Sequence, residues 1–584
     1  MATILYLDGT QVHPDGNQSI KLTKENPYFT QSDSYTLDVT LPMEIFENRV
    51  FFNNINRIER TKSADRMTCR LEVDNRLLLA GSAKVTQVTE RDVKVQLLGG
   101  NSEVNFLGED ETKYIDNLSL GTVQTEQRPG QSASYYDYWV DTGIKVKESH
   151  IYNETNEGDV IRFHFGLIDV AKQIFTVMGF TVTECGIEKE PWTDLYIASA
   201  KNTRDVAHTL PHWSLRTFID EFCKFFNVSV IINQEHRTVA IKDNPTFFSR
   251  YDREEIEPVD EYSVEMNEDS DAHALASDNL RFDMSESEHH DYDVIADNVR
   301  ENAATEEFTS RTAAYNAWTA ATEKDKKGKI YKCPVGRFTG WVHDHSDIGG
   351  EEEVLQFTQV DVFAPLVRNE DTANETELKI CPVAYGEIEK EYSFRGTTRW
   401  KYHLPSMENP TGDDIQRKSV RGSRSSSGSS GDDDEEATIQ EYILGEADIE
   451  KADKEDRLQV MFIDGIEQPY FYWDEKFGDR EGTWLTGFTD YQFKKNHKGT
   501  MHKPWSLSLN KCEATYYLGQ LHENGFSFNL GAKLCIKFLS EQMPDPTKVF
   551  AIRNKLYGCE KIEAQIDSQG MQRLMTGYFY EMKE

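Results

Sequence analysis

Apolar and polar residues alternate with period two through the first 110 positions. Residues 19–23 (SIKLT), 35–41 (YTLDVTL) and 83–88 (AKVTQV) each place apolar side chains on one face and polar ones on the other, the pattern of half-buried strands. Residues 70–73 (RLEV) and 77–79 (LLL) flank Asp74 and Asn75, a pair suited to a hairpin turn. Residues 92–98 (DVKVQLL) follow a turn at Glu90 and Arg91 and end at Gly99 and Gly100. A short helical insert is expected from about Glu44 to Phe52, with Ile45, Phe46 and Phe52 covering the open end of a barrel. Residues 1–110 therefore predict an N-terminal β-roll or small barrel of consecutive hairpins.

From about 160 to 245 the period becomes 3.6. Leu167, Val170, Ala171, Ile174, Phe175 and Met178 line one face of a helix stopped by Gly179, and 180–182 (FTV) leaves as a strand. Ser214 caps a second helix with Leu215, Phe218, Ile219, Phe222 and Phe225 on its apolar face. Asn227 ends it, and 228–232 (VSVII) leaves as a strand that turns at 233–236 into 238–241 (TVAI). The segments 170–182 and 218–230 align at a separation of 48 residues. Two copies are too few for a solenoid and predict a small α+β module, two helices on one sheet.

Residues 252–307 hold 20 acids, three arginines and no lysine. Such a stretch is either a solvated excursion or a surface that meets a basic partner. An alanine-rich helix is expected from about Thr309 to Glu323. Strand patterns return at 337–342, 354–360 and 378–381, and residues 423–436 (SRSSSGSSGDDDEE) then read as a mobile linker. The last segment is aromatic and β-rich, with candidate strands at 460–463, 470–473, 526–530, 549–552 and 576–580. The expected fold class is α+β and β-rich, in several domains: a β-roll or barrel (1–110), an α+β module (111–250), an acidic excursion with a helix (251–330), a β-rich domain (331–415), a Ser/Gly-acidic linker or loop (416–436), and a C-terminal β-sandwich or barrel (437–584).

Length agrees with this division, since 584 residues at roughly 150 per domain make about four domains. Acids outnumber bases 101 to 64, a formal charge of −37, which disfavours nucleic-acid wrapping and docking on anionic lipid. The N-terminus lacks the pattern of a signal peptide, and no stretch approaches the 18 or so uncharged apolar residues of a membrane span. Eight scattered cysteines without a CxxC pair read as reduced, mostly buried thiols in a protein made in a cytoplasm.

Phosphate-loop, dinucleotide, zinc-helix and nucleophile-elbow motifs are absent. His289, His290, Asp291 and Asp293, like His343, Asp344, His345 and Asp347, have spacings that suit a metal, but polar loops explain them better. His522-Glu523 lacks the second histidine of a zinc helix, and 432–436 (DDDEE) lacks a glycine-bent calcium loop. Trp473, Trp484, Tyr491, Trp505, Tyr516 and Tyr517 suit a sugar-stacking platform or, more simply, a β-sandwich core and rim. No catalytic, cofactor-binding or metal residue is assigned, and no cofactor is expected.

The two ends of the chain carry a family resemblance. Leu7-Asp8-Gly9, 20–29 (IKLTKENPYF), 34–42 (SYTLDVTLP), Asn48, the stretch from Phe51 to Arg57, and 93–101 (VKVQLLGGN) resemble the start of tail proteins of phages and prophages of Bacteroidota hosts. Residues 550–564 (FAIRNKLYGCEKIEA) and 577–580 (GYFY) resemble the end of the same proteins, and 214–241 resembles the helix-plus-hairpin module of tail hubs. The resemblance covers about half the chain and is one of fold type, without catalytic motifs. It implies β-barrel-like domains alternating with α+β domains, and copies arranged as a ring at the tail tip or baseplate. The expected function is therefore that of a structural tail protein, foremost the hub linking the tail tube to distal parts, with a distal ring or adaptor as the near alternative. The expected partners are further copies of the chain, as a trimer or hexamer, and other tail proteins. The expected location is the virion tail, assembled in the bacterial host cytoplasm. Two other classes stand beside it: a carbohydrate-binding protein using an exposed platform of Trp473 and Trp505, and a cell-wall hydrolase with paired carboxylates, for which no motif speaks.

Overall fold

The computed structural model describes residues 3–102, 114–127, 136–151, 160–266, 279–283, 303–359, 375–406, 457–463, 472–473, 480–489, 504–523 and 526–583, apart from breaks of one to three residues inside those spans. The N-terminal strands are β1 (Thr3–Leu7), β2 (Thr10–Val12), β3 (Ile20–Glu25), β4 (Ser34–Thr36), β5 (Val39–Pro42), β6 (Arg66–Val73), β7 (Arg76–Val88) and β8 (Asp92–Gly99). Turn chemistry explains the hairpins. Asp8 and Gly9 join β1 to β2 with φ of 46° and 72°, and Asp74 and Asn75 join β6 to β7 with φ of 54° and 62°. Two successive left-handed residues match the twist of paired strands, and short polar side chains and glycine tolerate them best. Alternation then decides the faces: Leu5, Leu7, Leu71, Val73, Val93, Val95 and Leu97 are all buried in one core.

The segment 35–41, expected as one strand, splits into β4 and β5, with exposed Asp38 between them. The helical insert forms as Phe46–Phe51. Phe52 is buried as expected, whereas Phe46 points into solvent and covers nothing. No sheet closes on itself among the described residues.

The ends of the chain meet in one 15-stranded sheet. Its main path runs Ser263–Met266, Phe528–Leu539, Leu574–Met582, Lys555–Asp567, β3, β4, β8, β7, β6, β1, β2. β3 pairs antiparallel with Lys555–Asp567 from Ile20 opposite Ile566 to Glu25 opposite Lys561. Buried Asn26 sits just beyond that ladder and binds both ends of the chain: its Nδ2 donates to the carbonyls of Pro546 and Cys559, each at 2.9 Å, and its Oδ1 accepts from the Tyr28 N–H at 3.0 Å. An aromatic cluster of Tyr28, Phe29, Phe247, Phe248, Phe528 and Tyr580 packs this sheet against the neighbouring α+β unit.

That unit contains the predicted repeat. The helices Leu167–Val177 and Leu215–Phe226 each bury the stripe named from the sequence. Ser214 Oγ accepts from the Thr217 N–H at 3.1 Å and caps the second. Both helices end in a left-handed residue at equivalent positions, Gly179 (φ 82°) and Asn227 (φ 50°), where the chain turns toward its strand. Thr181–Cys185 lies parallel, and Val228–Asn233 antiparallel, to Thr238–Asp243. A second sheet of the unit takes in Leu458–Ile463, a strand buried at all six positions because both of its faces are covered.

The alanine-rich helix runs Arg311–Ala320 with Ser310 as cap, and a break at 321–322 separates it from a short helix, Glu323–Gly328. It packs Ala314 and Trp318 on a four-stranded sheet through Tyr331 and Phe338. The linker 423–436 lies outside the described residues.

Candidate assembly surface

The acidic stretch does not stand wholly apart from the fold. Its first part is laid along the large sheet. Arg253–Glu255 pairs parallel with Val549–Ile552, and the Ile256 N–H donates to the Ala551 carbonyl at 3.1 Å while the Ile256 side chain is buried. The Val259 N–H donates to the Lys537 carbonyl at 2.9 Å. Ser263–Met266 then pairs antiparallel with Phe528–Leu539, from Ser263 opposite Cys535 to Met266 opposite Ala532. This makes Ser263–Met266 one terminal strand of the sheet path, with no strand on its outer side among the described residues. Pleating puts Tyr262, Val264 and Met266 on one face, and they are 57 %, 44 % and 75 % exposed.

Beside this edge lies a partly buried charge pair. The Lys533 ammonium is 2.9 Å from a Glu560 carboxylate oxygen and stands over the Tyr580 ring. The ladder is irregular between Asn529 and Lys533 on one strand and between Cys559 and Lys561 on another. Such bulges re-aim side chains, and here they accompany two charged groups that meet instead of facing solvent separately. Burial and the Glu560 carboxylate both push the Tyr580 hydroxyl pKa well above its ordinary value. Lys533 lies in register with Glu265 but pairs with Glu560, so Glu265 keeps its charge at the surface.

The other end of the path is β2, and the helix Phe46–Phe51 sits beside it. Asn48, fully buried, fixes the helix there: its Oδ1 accepts from the His13 N–H at 2.8 Å, and its Nδ2 donates to the carbonyls of His13 and Pro42. Phe46 and Val50, four residues apart on the outer side of the helix, are 65 % and 59 % exposed, and Ile58 in the following loop is 95 % exposed. The loop is nevertheless well tied. Lys62 Nζ donates to the carbonyls of Ile55, Arg57 and Arg60, and Asn56 Nδ2 donates to the Glu90 carbonyl at 2.8 Å. Ile58 is therefore held outward between Arg57 and Arg60, with Arg49 6.0 Å from the Phe46 ring. A lone isoleucine inside the charged run RIERTK was the signal available in the sequence, and the sequence reading passed over it.

The remaining sequence candidates go elsewhere. Trp505, half of the expected sugar platform, is 2 % exposed and packs on Phe462 in the core. Tyr517 is also buried, and Tyr516 is exposed. The alternative of an exposed Trp473 and Trp505 platform is thus corrected at Trp505, whose strand Trp505–Ser506 is buried at both positions, and buried Trp505 and Tyr517 with exposed Tyr516 agree with the simpler reading of core and rim. The side chains of Trp473 and Trp484, and the whole of Tyr491, lie outside what the structure describes. His522 is on a single helical turn with Nε2 3.2 Å from the Phe225 carbonyl, and Glu523 accepts from the Tyr517 hydroxyl. Both are structural contacts. His289, His290, Asp291, Asp293, Asp347 and 432–436 lie outside the described residues. His343, Asp344 and His345 fall on the strand Val342–Ser346, whose side chains are likewise outside the description. Among the described residues no group of three or more His, Cys, Asp or Glu is placed to hold a metal ion. No described helix is long and apolar enough to cross a membrane.

Two solved structures are similar to this chain over nearly its whole length. One is the 43 kDa tail protein of prophage MuSo2 from Shewanella oneidensis, 6 % identical, with 100 % of this chain and 99 % of that chain covered at a TM-score of 0.33. The other is a tail protein from Neisseria meningitidis MC58, 7 % identical, with 99 % and 96 % covered at a TM-score of 0.26. No family model matches the chain, and no curated protein matches it.

Proposed function

We propose that this chain is a structural protein of a bacteriophage tail, and within the tail the hub whose copies form a ring between the tail tube and the distal parts. The observation that carries the reading is where the family-like segments fall. Residues 20–25, 34–36, 39–42 and 93–99 at one end and 550–552, 555–564 and 577–580 at the other are strands of a single sheet, although more than 500 residues separate its β3 from its partner Lys555–Asp567. One terminal strand of that sheet, Ser263–Met266, and the helix and loop beside the other bear exposed apolar side chains on well-tied backbone, as a building block needs and a freestanding enzyme does not. The reading places the chain in the virion tail, with copies of itself and other tail proteins as partners.

Labelling tests the location. Gold-tagged antibody against the chain, applied to particles from a strain that carries its gene, should mark the distal end of the tail. Particles that lack the chain altogether would overturn the tail reading. Light scattering with negative-stain images of the purified protein should give rings of three or six copies. A tail-bound chain whose copies form no ring would refute the hub and leave an adaptor.

A further inference from the structure

The surfaces at the two ends of the large sheet are opposite in charge, and we infer that they mate between neighbouring copies. The Tyr262-to-Met266 edge of one chain meets the Phe46-to-Lys62 face of the next. The inference rests on the ring reading above and names the faces that close the ring.

Charge singles out the pair. Residues 252–266 carry seven acids against one arginine, and Glu257, Glu261 and Glu265 have no ion pair among the described residues. Residues 46–62 carry four bases against two acids, a locally positive stretch in a chain of net −37. Arg57 and Arg60 are exposed and have no acidic partner among the described residues. Each surface exposes both kinds of side chain: along the edge strand Tyr262, Val264 and Met266 on one face alternate with Glu261 and Glu265 on the other, and in the second surface Phe46, Val50 and Ile58 alternate along the chain with Arg49, Arg57 and Arg60. A neighbour packed along that edge meets both of its faces, so apolar contact and complementary charge act together, as they do in a specific protein interface.

Both surfaces are also held in shape before contact, the edge by its ladder to Phe528–Leu539 and the loop by Lys62 and Asn56. Little ordering entropy would be lost on docking. Either surface against its own copy would bring like charges together, which disfavours contact of a surface with itself, and with the two surfaces at opposite ends of the sheet path the contact is head-to-tail. A head-to-tail contact repeats around an axis and closes into a ring when the rotation allows it.

Charge exchange tests this. One variant carries Glu261→Lys and Glu265→Lys, a second Arg57→Glu and Arg60→Glu, and a third all four changes. All four positions altered are exposed, so melting temperatures should stay near that of the parent chain and report that folding is intact. Sedimentation should show association weakened roughly tenfold or more in each of the first two, and restored to within about threefold of the parent in the third. Met266→Asp and Ile58→Asp should each weaken it too. Association unchanged by both reversals would overturn the inference while leaving the ring to close through other faces. A parent chain that stays monomeric up to its solubility limit would overturn the contact between copies, and gold labelling at the tail tip would then keep the tail reading alive. If only the acidic reversal blocked incorporation into tails, the edge would belong to a different, basic tail protein, and the inference would fall.

Discussion

Replacing Asn26 with alanine probes whether the two ends of the chain stand or fall together. An asparagine side chain offers two donors and two acceptor positions, and Asn26 uses three of them within the protein. Alanine would leave the Pro546 and Cys559 carbonyls and the Tyr28 N–H without their partner, at a site with no solvent exposure. Each neutral hydrogen bond contributes about 1 kcal/mol net, so the loss is about 3 kcal/mol, and more where a buried group finds no substitute. At 1.4 kcal/mol per tenfold, hydrogen-exchange protection should fall about 100-fold. The two ladders that meet at Asn26 should both show it. Peptides covering β3 and Lys555–Asp567 should lose protection to the same extent, because every residue of β3 is in register with one of that strand. Peptides of the Leu215–Phe226 helix should be unchanged. A loss under about threefold, or one confined to a single end of the chain, would refute the claim that this residue ties the ends into one unit.

Three further perturbations test the local reasoning. Burial raises the Asp220 carboxyl from its ordinary 3.8 to about 6, against the lowering effect of Arg216 and Lys224. The folded chain therefore holds that proton more tightly, so its contribution to stability is complete below pH 3.8 and is lost as pH rises through about 6. Asp220→Asn should flatten the fall in melting temperature over that window and stabilise the chain at pH 7 by about 1–2 kcal/mol, less than the full shift implies because part of the side chain meets water; an unchanged pH profile would refute it. Ser214→Ala removes the cap on the Thr217 N–H and should cost about 1 kcal/mol in thermal unfolding of the α+β unit, with Ser214→Thr milder. Gly81 faces Gly99 across β7 and β8, and a Cβ there would lie 2.0 Å from the Leu98 carbonyl oxygen. Gly81→Ala should cost about 3 kcal/mol or push those strands apart in exchange, whereas Gly16→Ala, with open space around it, should change stability by less than about 0.5 kcal/mol.

Local physics explains what the sequence made legible. The 3.6 period fixed the buried faces of Leu167–Val177 and Leu215–Phe226, and the residues that tolerate a left-handed backbone, Gly179 and Asn227, fixed where they end. Asp74 and Asn75 announced the hairpin between β6 and β7 for the same reason. Period two, by contrast, says which face of a strand is wet but is silent on its partner. Nothing in 20–25 points to 561–566, and the register that joins them follows from the assembled core. Short elements were ambiguous too. A six-residue helix offers no stable stripe, so Phe46 read as cover for a core when Asn48 is the residue that faces inward. Trp505 reads foremost as core, and it is buried, but an aromatic on a two-residue strand has no period to show this by itself.

The acidic excess gains meaning from where it sits. Residues 252–266 follow the sheet as edge strands, so their charge is displayed on rigid backbone at one end of the path, and the local excess of bases lies at the other. Exposed strand edges invite pairing with any neighbour, and charge on the edge is the usual protection against it. Glu261 and Glu265 alternate along this edge with Val264 and Met266, so the edge repels other acidic surfaces, including the same edge on another copy, while still presenting apolar side chains. At physiological salt the Debye length is about 8 Å, so the overall −37 is screened at a distance while charges in contact are not. In the proposed ring, selection of the neighbour would then happen at contact, by sign and by apolar fit, and like-charged copies would remain dispersed until the complementary faces touch.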